Sequence, residues 1–310
     1  MTEEKKEKSI VQKRIEQLVA AVVGTCLTWW VRNLYLGTGI NSTIASAGIG
    51  LIGGLVLKDH FAIFFAGTFA GMSSAGAVPN IFYAALIGGI LWVIWVLQEK
   101  MFAGCGGKFG QIAMWAGMLG TLFVPIFTPT YQHKILINWA NPAAPWTGLT
   151  WVNWVFSPIL MGVAAMFTFY LRNNKPRVVN TTVASAIVGL LGGFIILTGV
   201  GISETLWTGT SYASAFTAYV YTGSFVGMAG TNRLCWLEDE EKTPLINDYL
   251  GFLITGAIAG ILFLAIAGIF GYGGKYGFTA FCSVLIFDKL VKPLMNKIGG
   301  KEKAPAEKKE

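Results

Sequence analysis

The chain has 310 residues, of which 54% are hydrophobic, a further 39 are glycine and only 13% are charged. A soluble domain carries about 25% charged residues, so a water-soluble enzyme, a nucleic-acid-binding domain and a disordered chain are excluded. Nine charged residues fall in 1–16 and eleven in 288–310, which leaves 19 for everything between and describes an integral membrane protein with two solvated tails.

Apolar runs between charges and breakers predict ten membrane spans. In chain order they are 16–36, 42–57, 61–78, 81–97, 109–127, 151–171, 181–199, 212–230, 249–270 and 276–291. Several are shorter than the roughly 20 residues an upright crossing needs. These short spans are rich in Gly, Ala, Ser and Thr, which suits helices that are broken, re-entrant or packed against others. The domains expected are a cytoplasmic tail over 1–15, a first five-helix repeat over 16–127 and an extracytoplasmic linker over 128–150. A second repeat over 151–291 and a basic tail over 292–310 follow. The net charge of +7 is topological rather than a nucleic-acid signal. With the N-terminus inside, only Arg32, Lys134 and Lys275 of the 23 Lys and Arg lie outside, which places both termini in the cytoplasm. No cleavable signal peptide is expected, because the first apolar stretch is too long and lacks a small-residue cleavage site.

The most specific feature is an internal repeat. Asn41-Ser-Thr-Ile-Ala-Ser-Ala47 matches Asn180-Thr-Thr-Val-Ala-Ser-Ala186, and Gly67-Thr-Phe-Ala-Gly-Met72 matches Gly223-Ser-Phe-Val-Gly-Met228. Gly107-Lys-Phe-Gly110 matches Gly274-Lys-Tyr-Gly277, and Arg32-Asn33 and Arg172-Asn173 precede the two copies. Five spans per copy make the copies opposite in orientation, an all-α inverted repeat. Were each third span a re-entrant hairpin, the copies would be parallel. The Asn-x-Ser/Thr triplets at Asn41 and Asn180 recur because a helix start recurs. Ser and Thr there read as N-caps.

Two pairs of segments are candidate sites. Gly67, Thr68, Gly71, Ser73 and Ser74, with Gly223, Ser224 and Gly227, are expected to line a pathway. Glycines four apart bring backbones together, hydroxyls supply polarity at depth, and Gly76 and Pro79 interrupt the helix. Pure helix packing is the competing reading. Lys108 and Lys275, each beside glycines at a helix start, would form electropositive vestibules for an anion at opposite faces. The competing reading is an interfacial lysine reaching water. The acid residues lie at span ends, which argues against a proton pump or multi-sodium site. The two His and four Cys have no metal or catalytic spacing, so no cofactor and no metal are expected. The acidic run Leu237–Lys242 reads as a solvated loop with a docking role as the alternative.

Asp59, followed by an Ala-rich helix and a glycine-spaced segment, is loosely similar to urea channels. That resemblance implies a five-plus-five inverted plan and carries over no functional residue. The function expected is a cell-membrane channel or transporter for a small solute or ion, between the two halves. The partners expected are the lipid bilayer and that solute, with a homo-oligomer left open. A non-transporting membrane subunit and, last, a membrane-embedded enzyme are the alternatives.

Overall fold

The computed structural model describes residues 9–33, 41–57, 59–128, 149–174, 179–207, 212–234, 244–268 and 273–298. The Pro- and Trp-rich linker over 129–148, the acidic run and Cys235 lie outside these. Among the described residues every regular element is helical. The first copy holds α1 (Ile10–Asn33), α2 (Ser42–Val56), α3 (Phe61–Gly71), α4 (Ile81–Leu97), α5 (Lys108–Thr121) and the short α6 (Val124–Phe127). The second holds α7 (Trp151–Asn174), α8 (Thr181–Trp207), α9 (Ala213–Val226), the short α10 (Thr231–Leu234), α11 (Pro244–Ala265) and α12 (Lys275–Ile286). A π-helical turn, Phe287–Val291, leads into α13 (Lys292–Ile298). Two segments, Lys108–Phe127 and Trp151–Asn174, are long and apolar enough to cross a membrane.

Local chemistry explains the boundaries. The helix caps of the first matched motif are the asparagines, not the Ser and Thr expected. Asn41 Oδ1 accepts the Thr43 N–H at 2.9 Å, and Asn180 Oδ1 accepts those of Thr182 and Val183 at 3.0 and 2.8 Å. The third helix ends at Gly71, earlier than the span 61–78 expected from hydropathy. There the Met72 and Ser73 N–H groups bond three residues back, to Phe69 and Ala70, and tighten the last turn. Asn33 then holds the turn that follows: its amide donates to the Ser73 carbonyl and its oxygen accepts the Ala75 N–H. The last helix runs past the expected end at 291, through the π turn, to Ile298.

α3 and α9 are the central helices, with ten and eleven buried residues respectively. Each lies on the first helix of its copy through glycines. Gly67 abuts the Ala21 carbonyl and Gly71 the Thr25 carbonyl of α1, while Gly223 and Gly227 abut the Met161 and Ala165 carbonyls of α7. α4 crosses α1 at Gly88 and Val22, and α11 crosses α7 at Gly256 and Gly162, again at matched positions.

Two helices also meet their own counterparts. α2 runs antiparallel to α8, with Ile44 on Gly193 and Val183 on Gly54. α5 runs antiparallel to α12, with Gly107 against Gly277 and Phe281, Gly110 against Gly277, and Gly274 against Gly110 and Met114. Gly107 and Gly274, which open these helices, have φ of 78° and 89°, a conformation open to glycine.

Polarity is distributed inside out. Thr25, Thr217, Thr222 and Thr255 are buried and return their hydroxyl protons to the carbonyl four residues back. Outward faces are apolar: Ile15, Val19, Val23 and Leu27 along α1, and Val155, Ile159, Val163 and Phe167 along α7, are all exposed.

The α5–α12 contact sets a test. A Cβ at Gly277 would lie 2.6 Å from Gly110 Cα, backbone that cannot swing aside. Gly277→Ala is expected to cost about 1–3 kcal/mol by thermal unfolding. Gly89→Ala, with nothing within 4 Å of its Cβ, is expected to be neutral or stabilising by up to about 1 kcal/mol.

Candidate functional site

The helix ends bring the matched segments of the two copies together. Gly106, entering α5, docks on the Phe225 and Val226 carbonyls at the end of α9. Gly273, entering α12, docks on the Phe69 and Ala70 carbonyls at the end of α3. At the second junction the Gly273 N–H donates to Ser73 Oγ at 2.9 Å, and that hydroxyl donates to the Ala70 carbonyl. The repeat counterpart of Ser73 is Ala229, which has no hydroxyl.

Between the junctions sit four buried rings. Phe65 and Phe69 of α3 face Tyr221 and Phe225 of α9, their positional counterparts. The Phe69 and Phe225 centroids are 4.7 Å apart and both residues are 1% exposed. Phe65 packs edge-on against Phe69 at 4.4 Å, and Tyr221 lies 4.4 Å from Phe225. Hydroxyls flank the rings. Ser46 Oγ on α2 lies 3.0 Å from Thr68 Oγ1 and 3.2 Å from the Tyr221 hydroxyl. Ser185 Oγ on α8 lies 2.8 Å from Ser224 Oγ, which also reaches the Tyr221 carbonyl.

A cavity of about 470 Å³ reaches Phe69 and Phe225 from one side. Its wall includes Trp95, Cys105, Lys108, Phe109, Arg172 and Met228. Lys108 is held at the end of α4, donating to the Gln98, Glu99 and Met101 carbonyls at 2.8, 3.3 and 2.6 Å. Arg172, from the other copy, lies over the Phe169 and Phe252 rings at 5.0 and 5.4 Å. Glu99, also in the wall, receives Arg14 Nη2 at 2.8 Å. That hydrogen bond first, then the charges of Arg14, Lys13 and Lys100, holds its carboxyl below the usual range against a partial desolvation. Burial pushes the Cys105 thiol up. At the rim, Arg233 donates twice to the Ala103 carbonyl, at 3.1 and 2.8 Å, and pairs with Asp288 at 2.9 Å.

The residues singled out in the sequence fall as follows. Gly67, Gly71, Gly223 and Gly227 face α1 and α7. Thr68 and Ser224 sit in the hydroxyl clusters behind the rings. Ser73 seals one junction, and Ser74 lies in the turn after it, its carbonyl accepting the Ala77 and Val78 N–H groups. Lys108 lines the cavity. Lys275 lies over the Phe263 ring at 4.9 Å. The helices that the two lysines open pack antiparallel at Gly110 and Gly277. Among the described residues no three of His, Cys, Asp and Glu form a metal-ligand group. Sequence reasoning did not single out Phe69, Phe225, Tyr221, Ser46, Ser185 or Arg172. The signal was present, since all lie within or beside the matched motifs. Comparison with protein-family models, with curated proteins and with solved structures finds no match.

Two outcomes test this geometry. Tyr221→Phe removes one bond to Ser46, which keeps Thr68 as a partner, so a loss of about 1 kcal/mol is expected on unfolding. Glu99 has a depressed folded pKa, so its contribution exists above the unfolded pKa and vanishes as pH falls through the folded one. Glu99→Gln is therefore expected to melt below the parent protein at pH 7, with the gap closing below about pH 4.

Proposed function

We propose that the protein is an integral membrane channel or carrier. In this reading it passes a small solute or ion along the seam between two inverted five-helix halves of an all-α bundle. The observation that carries the proposal is that α2 and α5 each lie antiparallel against their own repeat counterpart, at residues that exchange under the repeat. The contacts Ile44–Gly193 and Val183–Gly54 are one such exchange, and Gly107–Phe281 and Gly274–Met114 are another. Contacts of this kind imply a two-fold axis perpendicular to the helices. For helices that cross a bilayer, that axis lies in the membrane plane, which is the inverted plan of many transporters. Both termini then share the cytoplasmic side, as the lysine distribution requires. The apolar outer stripes of α1 and α7, with Ile15, Val19, Val23, Leu27, Val155, Ile159, Val163 and Phe167 all exposed, support lipid contact.

The same axis locates the breaks. It passes by Gly110 and Gly277, so α5 and α12 begin about 4 Å from its level at 1.5 Å per residue. α3 and α9 end near that level, where Phe69 meets Phe225. Broken helix ends at depth persist where they are buried in protein or line a cavity. The Gly67–Met72 and Gly223–Met228 segments line the pathway through these two phenylalanines. Their glycines hold the segments against α1 and α7. The Phe69–Phe225 contact is the closed point, and the cavity above it is the cytoplasmic approach.

Flux into proteoliposomes, measured over anions, cations and neutral solutes, tests the reading. At least one class is expected to cross faster than in protein-free vesicles. Phe69→Ala or Phe225→Ala is expected to raise passive flux about tenfold, the effect of removing about 1.4 kcal/mol from a barrier. Single cysteines at Ser9 and Lys297 are expected to resist impermeant label from outside intact cells. A folded protein that moves nothing across the panel, or termini on opposite sides, would overturn the proposal.

A further inference from the structure

A second cavity, sharing no residue with the first, lies on the outside of the first copy. It holds about 330 Å³ between α1 and the turn from α2 into α3. Ile15, Val19 and Val23 form one wall, spaced four residues apart along α1, and each is exposed. That stripe is about 12 Å long at 1.5 Å per residue. Leu57 and Phe64 lie opposite. Polarity is confined to one end of the groove, where Glu16 and His60 meet. His60 Nε2 lies 2.6 Å from Glu16 Oε2, and Glu16 Oε1 also accepts from Gln12 at 3.2 Å, so the carboxylate is engaged. The other ring nitrogen, His60 Nδ1, is buried and has no hydrogen-bond partner among the described residues. His60 precedes α3 without capping it, so the ring is not spent on the helix start.

We propose that this groove holds one ethanolamine phospholipid of the cytoplasmic leaflet, with an acyl chain along α1 and the ammonium at His60. The inference rests on the membrane reading above and goes beyond it, since it needs no transport. The order of polarity along the groove is that of a lipid. In that reading α1 enters from the cytoplasm, so Glu16 and His60 lie at headgroup level while Val23 and Phe64 lie deeper. A groove apolar along its length with polar groups at one end fits a chain that carries a head. A buried polar atom left unpaired is costly, and a partner relieves that cost. With the Nε2 proton donated to Glu16, the neutral ring presents Nδ1 as an acceptor, so the partner must be a donor. The described lining holds one carboxylate and no lysine or arginine, which favours a cationic head over an anionic one. An ammonium meets both requirements. A choline head has the charge without an N–H, and a glycerol head has a donor without the charge.

The test is native mass spectrometry of the delipidated protein in detergent, titrated in turn with dioleoyl phosphatidylethanolamine, phosphatidylcholine and phosphatidylglycerol. One ethanolamine lipid is expected to be retained, about tenfold more tightly than either of the others, the factor that one charge-assisted hydrogen bond supplies. His60→Phe keeps the groove apolar and removes the acceptor, so it should bring the ethanolamine lipid to the choline level. His60→Gln keeps an acceptor and should retain part of the preference. Val23→Trp puts bulk into the deep end at an exposed position and should weaken retention of all three lipids. Melting in detergent establishes that each variant is folded, and His60→Gln and Val23→Trp carry the test if His60→Phe is not. Equal retention of the three heads, a preference for the glycerol head, an unchanged preference in His60→Phe, or no retained lipid would overturn the inference. A dimer that excludes the lipid and is lost in Val23→Trp would assign the groove to a second copy of the chain and overturn it as well. Ethanolamine preference without flux of any solute would keep the lipid site and remove the transport reading. Flux without ethanolamine preference would do the reverse.

Discussion

The bundle depends on backbone meeting backbone where no side chain intervenes. Gly110 rests on Gly277, Gly162 on Gly256, and Gly106 and Gly273 on the last carbonyls of α9 and α3. In the membrane setting proposed above there is no hydrophobic drive between helices, and close approach and buried hydrogen bonds supply the attraction. Glycine permits the approach. It also permits the left-handed entry at Gly107 and Gly274 that turns the chain into α5 and α12 at the point of contact. A side chain at Gly110 or Gly277 would meet the backbone of the other copy.

Close approach at the glycines dictates what fills the space beside them. α3 and α9 are held so tightly against α1 and α7 that their remaining faces turn toward each other. Phe65, Phe69, Tyr221 and Phe225 occupy that gap as tilted and edge-on pairs, the arrangement ring quadrupoles favour. Ser46, Thr68, Ser185 and Ser224 lie one layer further out and satisfy one another. In the proposed pathway this makes an apolar constriction with hydroxyls close behind it, which blocks hydrated ions while the rings are in contact.

Much of this was legible in the sequence, because the repeat carries geometric information that hydropathy lacks. The Asn41 and Asn180 motifs marked true helix starts, and Gly67, Gly71, Gly223 and Gly227 marked true close contacts. Hydropathy alone placed the end of α3 wrongly, since Ala75, Ala77 and Val78 are apolar enough to extend a span. The actual stop is a backbone event, three-residue hydrogen bonding at Met72 and Ser73, fixed by Asn33 from a different helix. The ring contact was hidden for a related reason: Phe69 and Phe225 are ordinary core residues in sequence. Only the approach of their two helix ends brings these rings together.

The copies differ in their hydroxyls: Tyr221 of the second replaces Phe65 of the first, and Ser73 of the first replaces Ala229 of the second. Ser73 bonds the Gly273 N–H across one junction; Ala229 supplies no such hydroxyl at the other, which is bridged by the Gly230 N–H to the Gly104 carbonyl and by Arg233 to the Ala103 carbonyl. The cavity reaching Phe69 and Phe225 opens at the junction of Gly106 with the end of α9, beside Gly104, Cys105 and Gly230. In a carrier built as proposed, the two junctions would open in turn, and a perfectly symmetric molecule would favour neither state. One buried hydrogen bond contributes about 1 kcal/mol net, which biases such an equilibrium roughly fivefold. In that reading Ser73 holds one junction while the Gly230–Gly104 and Arg233–Ala103 bonds hold the other, so the difference between these bonds sets the balance of the two states.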